Sequence, residues 1–293
     1  MNLTLTVVNV VAPVFLLASV GFAWVKLGFE YQLEFVTRLS MTLAVPALIF
    51  VALMQAEIEP AALSALSLAA LVAYVGVTAA IALLVKLSGL DQRTYLAPLS
   101  YGNTGNLGLP LALFAFGDLG LSYAVVVFAV MAVLSFSFGI WVVAGGGGLG
   151  KLVREPMVAA TLLGALFLWQ GWETPVFLTN ALDLIGQMAI PIMLITLGVA
   201  IARLSPGRIG RAIWLSLAKF VLCAGIGWGT GLFFNLDATA FGVLVLQLAT
   251  PVAVTSYLLA EKYDADGDAV AGLVVVSTLM SVALLSLLLA IVI

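Results

Sequence analysis

Long apolar runs follow one another along the whole chain, separated by short breaks that collect the glycines, prolines and charged residues. About 20 apolar residues, rising 1.5 Å each, cross a ~30 Å hydrocarbon layer. The breaks delimit ten such runs, at 4–28, 31–54, 61–88, 92–117, 119–143, 155–173, 176–203, 208–235, 238–261 and 268–292. Each run predicts a transmembrane helix, so the expected fold class is an all-α membrane protein with ten spans. Most breaks are tight, as at 57–60 and 264–268. The longest, 144–154, holds a run of four glycines plus Lys151 and Arg154 and lies at mid-sequence. It reads as a cytoplasmic linker between a first unit, 1–143, and a second, 155–293.

The charges orient these spans. Lys26 and Arg38 flank the first break, Lys86 and Arg93 the third, and Lys151 and Arg154 the fifth. Arg203, Arg208 and Arg211 flank the seventh, and Lys262 the ninth. The even-numbered breaks carry acids alone: Glu57, Glu59, Asp118, Glu173 and Asp237. The eleventh basic residue, Lys219, lies inside a span. Basic residues concentrate in cytoplasmic loops, which puts the odd breaks inside and both termini outside. A miscounted helix would reverse the alternation from that point on.

Composition narrows the chemistry. Hydrophobic residues make up 64% of the 293 positions and charged residues 9%, against roughly 25% charged in a soluble domain. The bilayer is therefore the expected partner. Net charge is −3 with no basic tract, which argues against nucleic acid. With no histidine and a single cysteine, Cys223, the usual metal ligands, a disulfide framework and a nucleophile–base pair are missing. Neither an enzyme nor a cofactor is indicated. The first basic residue is Lys26, so the first run lacks the basic start of a cleaved signal peptide and is expected to stay as a helix.

The two halves echo each other. The string Leu43-Ala44-Val45-Pro46-Ala47-Leu48 has a counterpart 145 positions later in Met188-Ala189-Ile190-Pro191-Ile192-Met193. Pro110-Leu111-Ala112 recurs after 141 positions as Pro251-Val252-Ala253, and Met131–Ser135 after 146 as Ser277–Ser281. Three weak matches in order, each near half the chain length, predict a duplication. Five spans per copy is odd, so the second copy inserts upside down, giving an inverted 5+5 repeat.

The fourth span contains Tyr101-Gly102-Asn103-Thr104-Gly105-Asn106-Leu107-Gly108-Leu109-Pro110. Gly costs about 1 kcal/mol and interior Pro about 3 kcal/mol relative to Ala in a helix, so this helix should break near Gly105–Pro110. The ninth span answers with Gln247-Leu248-Ala249-Thr250-Pro251, in which Thr250 then Pro251 reads as an N-cap followed by the first helical residue. Broken helices persist in a bilayer only where the freed backbone lines a protected cavity. Two restarting helices, approaching from opposite sides and crossing at mid-depth, would offer N–H groups and partial positive charge to one site. Such a site suits an anion. Taken singly, each Pro-containing span also reads as a kink or a packing seam, and at Pro46 and Pro191, without neighbouring Asn or Gly, a simple kink is the reading.

The stretch Asn103 to Pro110 resembles the Asn…Gly…Gly-x-Pro signature of the auxin efflux carrier family of bacterial and plant permeases, relatives of the plant auxin transporters. The stretch Thr250-Pro251 through Ser256-Tyr257, Ala260 and Tyr263, then Ser277-Thr278 and Ser281, is similar to its C-terminal signature. The resemblance covers essentially the whole chain. It implies ten helices with crossed, broken helices four and nine, akin to bile-acid symporters and sodium/proton antiporters. It further implies a scaffold of helices 1, 2, 6 and 7, a moving unit of 3–5 and 8–10, organic-anion substrates and elevator-type alternating access. A homodimer through the scaffold and a bacterial cytoplasmic membrane are implied as well.

The expected substrate-binding residues are Asn103, Gly105, Asn106, Pro110, Gln247, Thr250, Pro251 and Lys219. Lys219 is about eleven residues into its span, near mid-depth, where an ionisable group marks function by default. It could hold a substrate carboxylate, replace a coupling cation, or be a paired structural lysine. Asp183 and Gln187, one turn apart, belong to a coupling site or an outer vestibule. Ser135 and Ser137, with Ser277, Thr278 and Ser281, either line the crossover or bond helices together. The function expected is transport of a small organic anion, a carboxylate, auxin-like acid or dicarboxylate, with coupling to Na+ or H+ open. The alternative is a cation/proton antiporter using Asp183 and Lys219.

Overall fold

The computed structural model describes residues 3–55, 60–146, 156–204 and 209–293. Glu57, Glu59, Lys151, Arg154 and Arg208, used above for orientation, lie outside the described residues. The described chain is helical throughout, in fourteen α-helices and three π-helical turns. In order they are α1 (Leu3–Lys26), α2 (Leu33–Leu39), α3 (Val45–Met54), α4 (Pro60–Leu87), α5 (Gln92–Ser100), α6 (Leu109–Leu134) and α7 (Ile140–Val143). There follow α8 (Pro156–Gln170), α9 (Val176–Gln187), α10 (Ala189–Arg203), α11 (Ile209–Phe233), α12 (Ala238–Leu248), α13 (Val254–Lys262) and α14 (Gly267–Val292).

Among the described residues, six continuous helical stretches are long and apolar enough to cross a membrane. They are Leu33–Met54, Ala62–Leu87, Thr104–Val143, Val176–Arg203, Ile209–Phe233 and Gly267–Val292. Shorter apolar helices occupy Val11–Lys26, Ala159–Gln170 and Ala238–Leu248. The stretch Thr104–Val143, at 40 residues, would reach about 60 Å if straight, twice a hydrocarbon layer. It is not straight. Gly117 has φ 68° and ψ −159°, and a Cβ on Gly120 would lie 2.7 Å from the Ala112 carbonyl oxygen. Residues eight apart in one helix are about 12 Å apart, so the chain doubles back at Gly117, where the hydropathy pattern ends the fourth run.

Proline shapes three of the stretches. Pro46 and Pro110 each stand in the first turn of a helix, α3 and α6, directly after a π-helical turn, Ser40–Ala44 and Thr104–Gly108. Proline offers no N–H to the carbonyl four residues back, and a wider turn accommodates the unmatched carbonyl. Pro191 follows a break at Met188 that separates α9 from α10. The Pro46 and Pro191 stretches thus each carry an irregular turn near the proline.

Packing joins α1 to α10 and α3 to α8 and α9, while α4, α5, α6, α11, α12 and α14 pack on one another. At the α1–α10 crossing, a methyl on Gly21 would fall on the Ile195 carbonyl, and one on Gly198 on the Ala18 carbonyl. Small residues let the two backbones touch, as in membrane helix pairs that lack a hydrophobic drive to associate. Large apolar side chains such as Phe233, Phe177 and Trp169 stay 73–80% exposed, a surface matched to lipid rather than water. Loop acids finish the helices: Asp91, Asp237 and Asp266 accept N–H groups from the first turns of α5, α12 and α14.

Candidate substrate site

Helix α5 stops at Ser100 and Tyr101 turns extended, with φ −111° and ψ 108°. Helix α12 stops at Leu248, and α13 begins at Val254 behind an extended Ala253 (φ −74°, ψ 142°). The two extended pieces meet in an antiparallel bridge between Gly102 and Val252. Asn103 N–H donates to the Pro251 carbonyl at 2.7 Å, and Val252 N–H donates to Ser277 Oγ on α14 at 3.0 Å. Each interrupted helix thereby satisfies backbone groups of the other in a region where every residue from Tyr101 to Thr104 and from Thr250 to Val252 is buried. The contact requires Gly102: a Cβ there would lie 2.8 Å from the Thr250 carbonyl oxygen and collide with Thr250 Oγ1.

Both breaks differ in detail from the sequence expectation. The fourth span opens at Tyr101–Asn103, ahead of Gly105–Pro110, and Pro110 sits inside the restarted helix. The ninth restarts at Val254, so Thr250-Pro251 is not its N-cap and first residue. Thr250 Oγ instead donates back to the Gln247 carbonyl at 2.7 Å, closing α12. Pro251 stays extended because its carbonyl serves Asn103. A cap motif describes a chain that can choose its partners locally, and here the partner comes from 148 residues away.

A cavity of about 240 Å³ opens beside the crossover. On one wall stand Tyr101, Gly102, Asn103, Gly105 and Asn106, and on the facing wall Ala253 to Ser256, the first turn of α13. Phe128, Met131, Ser135, Met41 and Met193 are among the residues that close the remainder. Asn103 Nδ2 and Asn106 Oδ1 are buried with no hydrogen-bond partner among the described residues. Backbone N–H groups of Leu107 and Gly108 both donate to the Asn103 carbonyl, which starts the restarted helix on the Asn103 side. Two helix starts with partial positive charge therefore border one mostly apolar hollow, where electrostatic effects are little screened.

Of the residues singled out from sequence, Asn103, Gly105, Asn106 and Ser135 line this cavity. Thr250, Pro251, Ser277 and Lys219 instead border a hollow of about 10 Å³ together with Ser216 and Ser281. Lys219 is 2% exposed, and its ammonium donates to Cys223 Sγ at 3.8 Å. Gln247 is fully buried against Gly108, with both amide atoms lacking a partner among the described residues. Thr278 is buried with its hydroxyl in the same condition. Asp183 and Gln187 are exposed on α9 and bond to each other at 2.8 Å; neither lines the cavity. Ser137 donates to the Val133 carbonyl at 2.5 Å within its own helix.

Sequence reasoning passed over Met41, Phe128, Met131 and Met193, because an apolar wall residue is indistinguishable from core by type. Thr255 and Ser256 belong to the quoted C-terminal stretch, and the position of the helix start is the signal that would have assigned them to the wall.

The chain matches the family model described as membrane transport protein over residues 6–149 and 146–291. An uncharacterized transporter of Methanothermobacter thermautotrophicus is 27% identical over 291 residues, covering 94% of this chain and 95% of the relative. A putative malonate transporter of Rhizobium meliloti is 25% identical over 198 residues, 63% of this chain and 62% of the relative. Auxin efflux carrier component 8 of Arabidopsis thaliana is 28% identical over 121 residues, 39% of this chain and 33% of the relative. The match thus spans less than two thirds of the malonate and auxin relatives. With family matches over almost its full length and an apolar all-helical fold, the chain belongs to the auxin efflux carrier family and is a multi-pass membrane transporter.

Proposed function

We propose that this protein carries a small organic anion across the membrane, holding its carboxylate in the cavity between Asn103, Asn106 and the first turn of α13. The observation that carries the reading is the bridge of Gly102 to Val252, which brings two helix starts and the unpartnered amide nitrogen of Asn103 to one hollow. At about 240 Å³ the cavity lies below the ~300–1,000 Å³ range of pockets for drug-sized ligands, which favours a small acid. The names of the malonate and auxin relatives point to the same class.

In this reading the chain crosses ten times as an inverted 5+5 repeat, with both ends outside. The α1–α3 and α8–α10 group is the scaffold, through which two copies pair. The group of α4–α7 and α11–α14 moves against it and takes the cavity from one side of the membrane to the other. A thermal-shift series on purified protein tests the substrate class, using malonate and indole-3-acetate with and without Na+ and at several pH values. A ligand that binds only the folded protein raises its stability by RT ln(1 + [L]/Kd), so even a weak carboxylate should give a saturable shift. Absence of any carboxylate shift, together with Na+/H+ exchange in vesicles without organic solute, would establish the antiporter alternative.

Orientation has its own test. In a Cys223→Ala background, Asp118→Cys and Glu173→Cys should react with an impermeant thiol reagent applied from outside, whereas Arg38→Cys and Lys262→Cys should not. All four positions are exposed. The opposite pattern would invert the topology.

A further inference from the structure

Two further hollows adjoin the crossover cavity, one behind the other. The first is a waist of about 30 Å³ that shares Asn106, Met193, Val254 and Thr255 with the cavity. The second is a broad mouth of about 970 Å³ that shares Leu33, Thr37 and Leu258 with the waist. Met41 borders all three. The path runs between the α2–α3 and α10 side and the broken-helix side. Arg38 and Arg203 line its mouth.

We propose that Arg38 and Arg203 form an anion-collecting mouth that feeds the crossover cavity through this waist, with the Ser40 hydroxyl as its polar step and Met41 and Met193 as its gate. The proposal rests on the carboxylate-carrier reading for the identity of the anion, and on the chain of hollows for the route. Three observations support it. Ser40 borders the waist and is 2% exposed, yet its hydroxyl has no partner among the described residues. A buried hydroxyl in that condition is disfavoured, and a passing carboxylate relieves it. The mouth carries two guanidinium groups against one carboxylate, Glu34, which pairs with Arg38 at 2.9 Å. One positive charge is left over. Finally, Tyr31 ties mouth to waist: its carbonyl accepts from Arg203 Nη2 at 2.6 Å, and its hydroxyl bonds Thr196 Oγ1 at 2.7 Å.

The waist has room for about one water, so a carboxylate passes only when the wall yields. Methionine, unbranched and with three rotatable bonds, yields more readily than a branched side chain. The hollow therefore holds an open mouth above a closed gate.

Charged thiol reagents test the route without knowledge of the substrate. Thr37→Cys and Ser40→Cys are made separately in the full chain with Cys223→Ala. Each is reacted with an anionic sulfonate and a cationic trimethylammonium methanethiosulfonate, and rates are normalised to those of 2-mercaptoethanol. One net charge at about 8 Å in water, with and without screening at 0.1 M salt, predicts an anion preference of about two- to sixfold. The preference should vanish in Arg203→Gln, which leaves the neutral Arg38–Glu34 pair, and turn to the cation in Arg38→Gln/Arg203→Gln, which leaves Glu34 alone. Equal normalised rates, or a preference that survives loss of both arginines, would overturn the mouth. Reaction at Thr37→Cys with none at Ser40→Cys would overturn the waist as the passage, and Thr255→Cys repeats that measurement should Ser40→Cys fail to fold. Carboxylate binding without the charge preference removes the mouth alone; the preference without carboxylate binding removes the substrate reading and leaves the mouth standing.

Discussion

Gly102→Ala should abolish transport and lower the unfolding midpoint of the purified protein, although it adds a single methyl group. The methyl would stand 2.8 Å from the Thr250 carbonyl oxygen and 3.3 Å from that of Pro251. Both are backbone atoms, so no rotamer change relieves the contact. Relief requires the two extended segments to separate, which breaks the Gly102–Val252 bridge and the Asn103 to Pro251 hydrogen bond. Overpacking of a closed core by one methyl typically costs about 1–3 kcal/mol, and a buried orphaned backbone group adds a comparable amount. The control is Gly229→Ala on α11, where nothing lies within 4 Å of the added Cβ. That change should be neutral or mildly stabilising, since Ala is the better helix former. Equal midpoints and equal transport in the two variants would mean that the crossover does not hold the protein together.

Asn103→Ala should weaken carboxylate binding by about ten- to a hundredfold while leaving the fold intact. Its side-chain nitrogen is buried, borders the cavity and has no partner among the described residues. A hydrogen bond to a charged group contributes roughly 1.5–3 kcal/mol, which sets that range of affinity. The fold survives because the bond that locks the crossover comes from the Asn103 backbone N–H and not its side chain. Asn106→Ala should act in the same direction. Binding is read by isothermal titration with whichever carboxylate stabilises the parent protein. Lys219→Met separates a second term. Because Lys219 borders the small hollow behind Thr250 and Pro251 instead of the cavity, its charge reaches the substrate only through the crossover strand. Its loss should therefore weaken a dianion more than a monoanion. Unchanged binding in both asparagine variants would move the substrate away from the crossover.

The broken fourth and ninth helices were legible because glycine, asparagine and proline oppose a helix wherever they cluster. The location of each break was not. Thr250-Pro251 has the local grammar of a helix start, yet the helix restarts at Val254, and the fourth span opens at Tyr101 although the helix-breaking string continues to Pro110. Both shifts have one cause: each extended segment is stabilised by the other, and a pairing across half the chain outweighs a cap worth about 1 kcal/mol. The reversal at Gly117 is the opposite case. There the break in hydropathy and the glycine that tolerates φ 68° coincide, so pattern and structure agree.

For the site, sequence grouped Asn103, Gly105, Asn106, Lys219, Thr250 and Gln247 as substrate-binding and left Ser135 between the crossover and helix packing. In the structure Asn103, Gly105, Asn106 and Ser135 border the cavity, Lys219 and Thr250 border the small hollow, and Gln247 is buried against Gly108 away from both. What the sequence determined by itself is the solvent and the class: long apolar runs and few charges point to helices buried in lipid, because a bilayer offers backbone groups no water and a continuous helix satisfies nearly all of its own. What only the tertiary structure decided is which polar residues face a common space. Side-chain type says that a group needs a partner, whereas the meeting of two distant backbones decides which groups go without one and face the cavity.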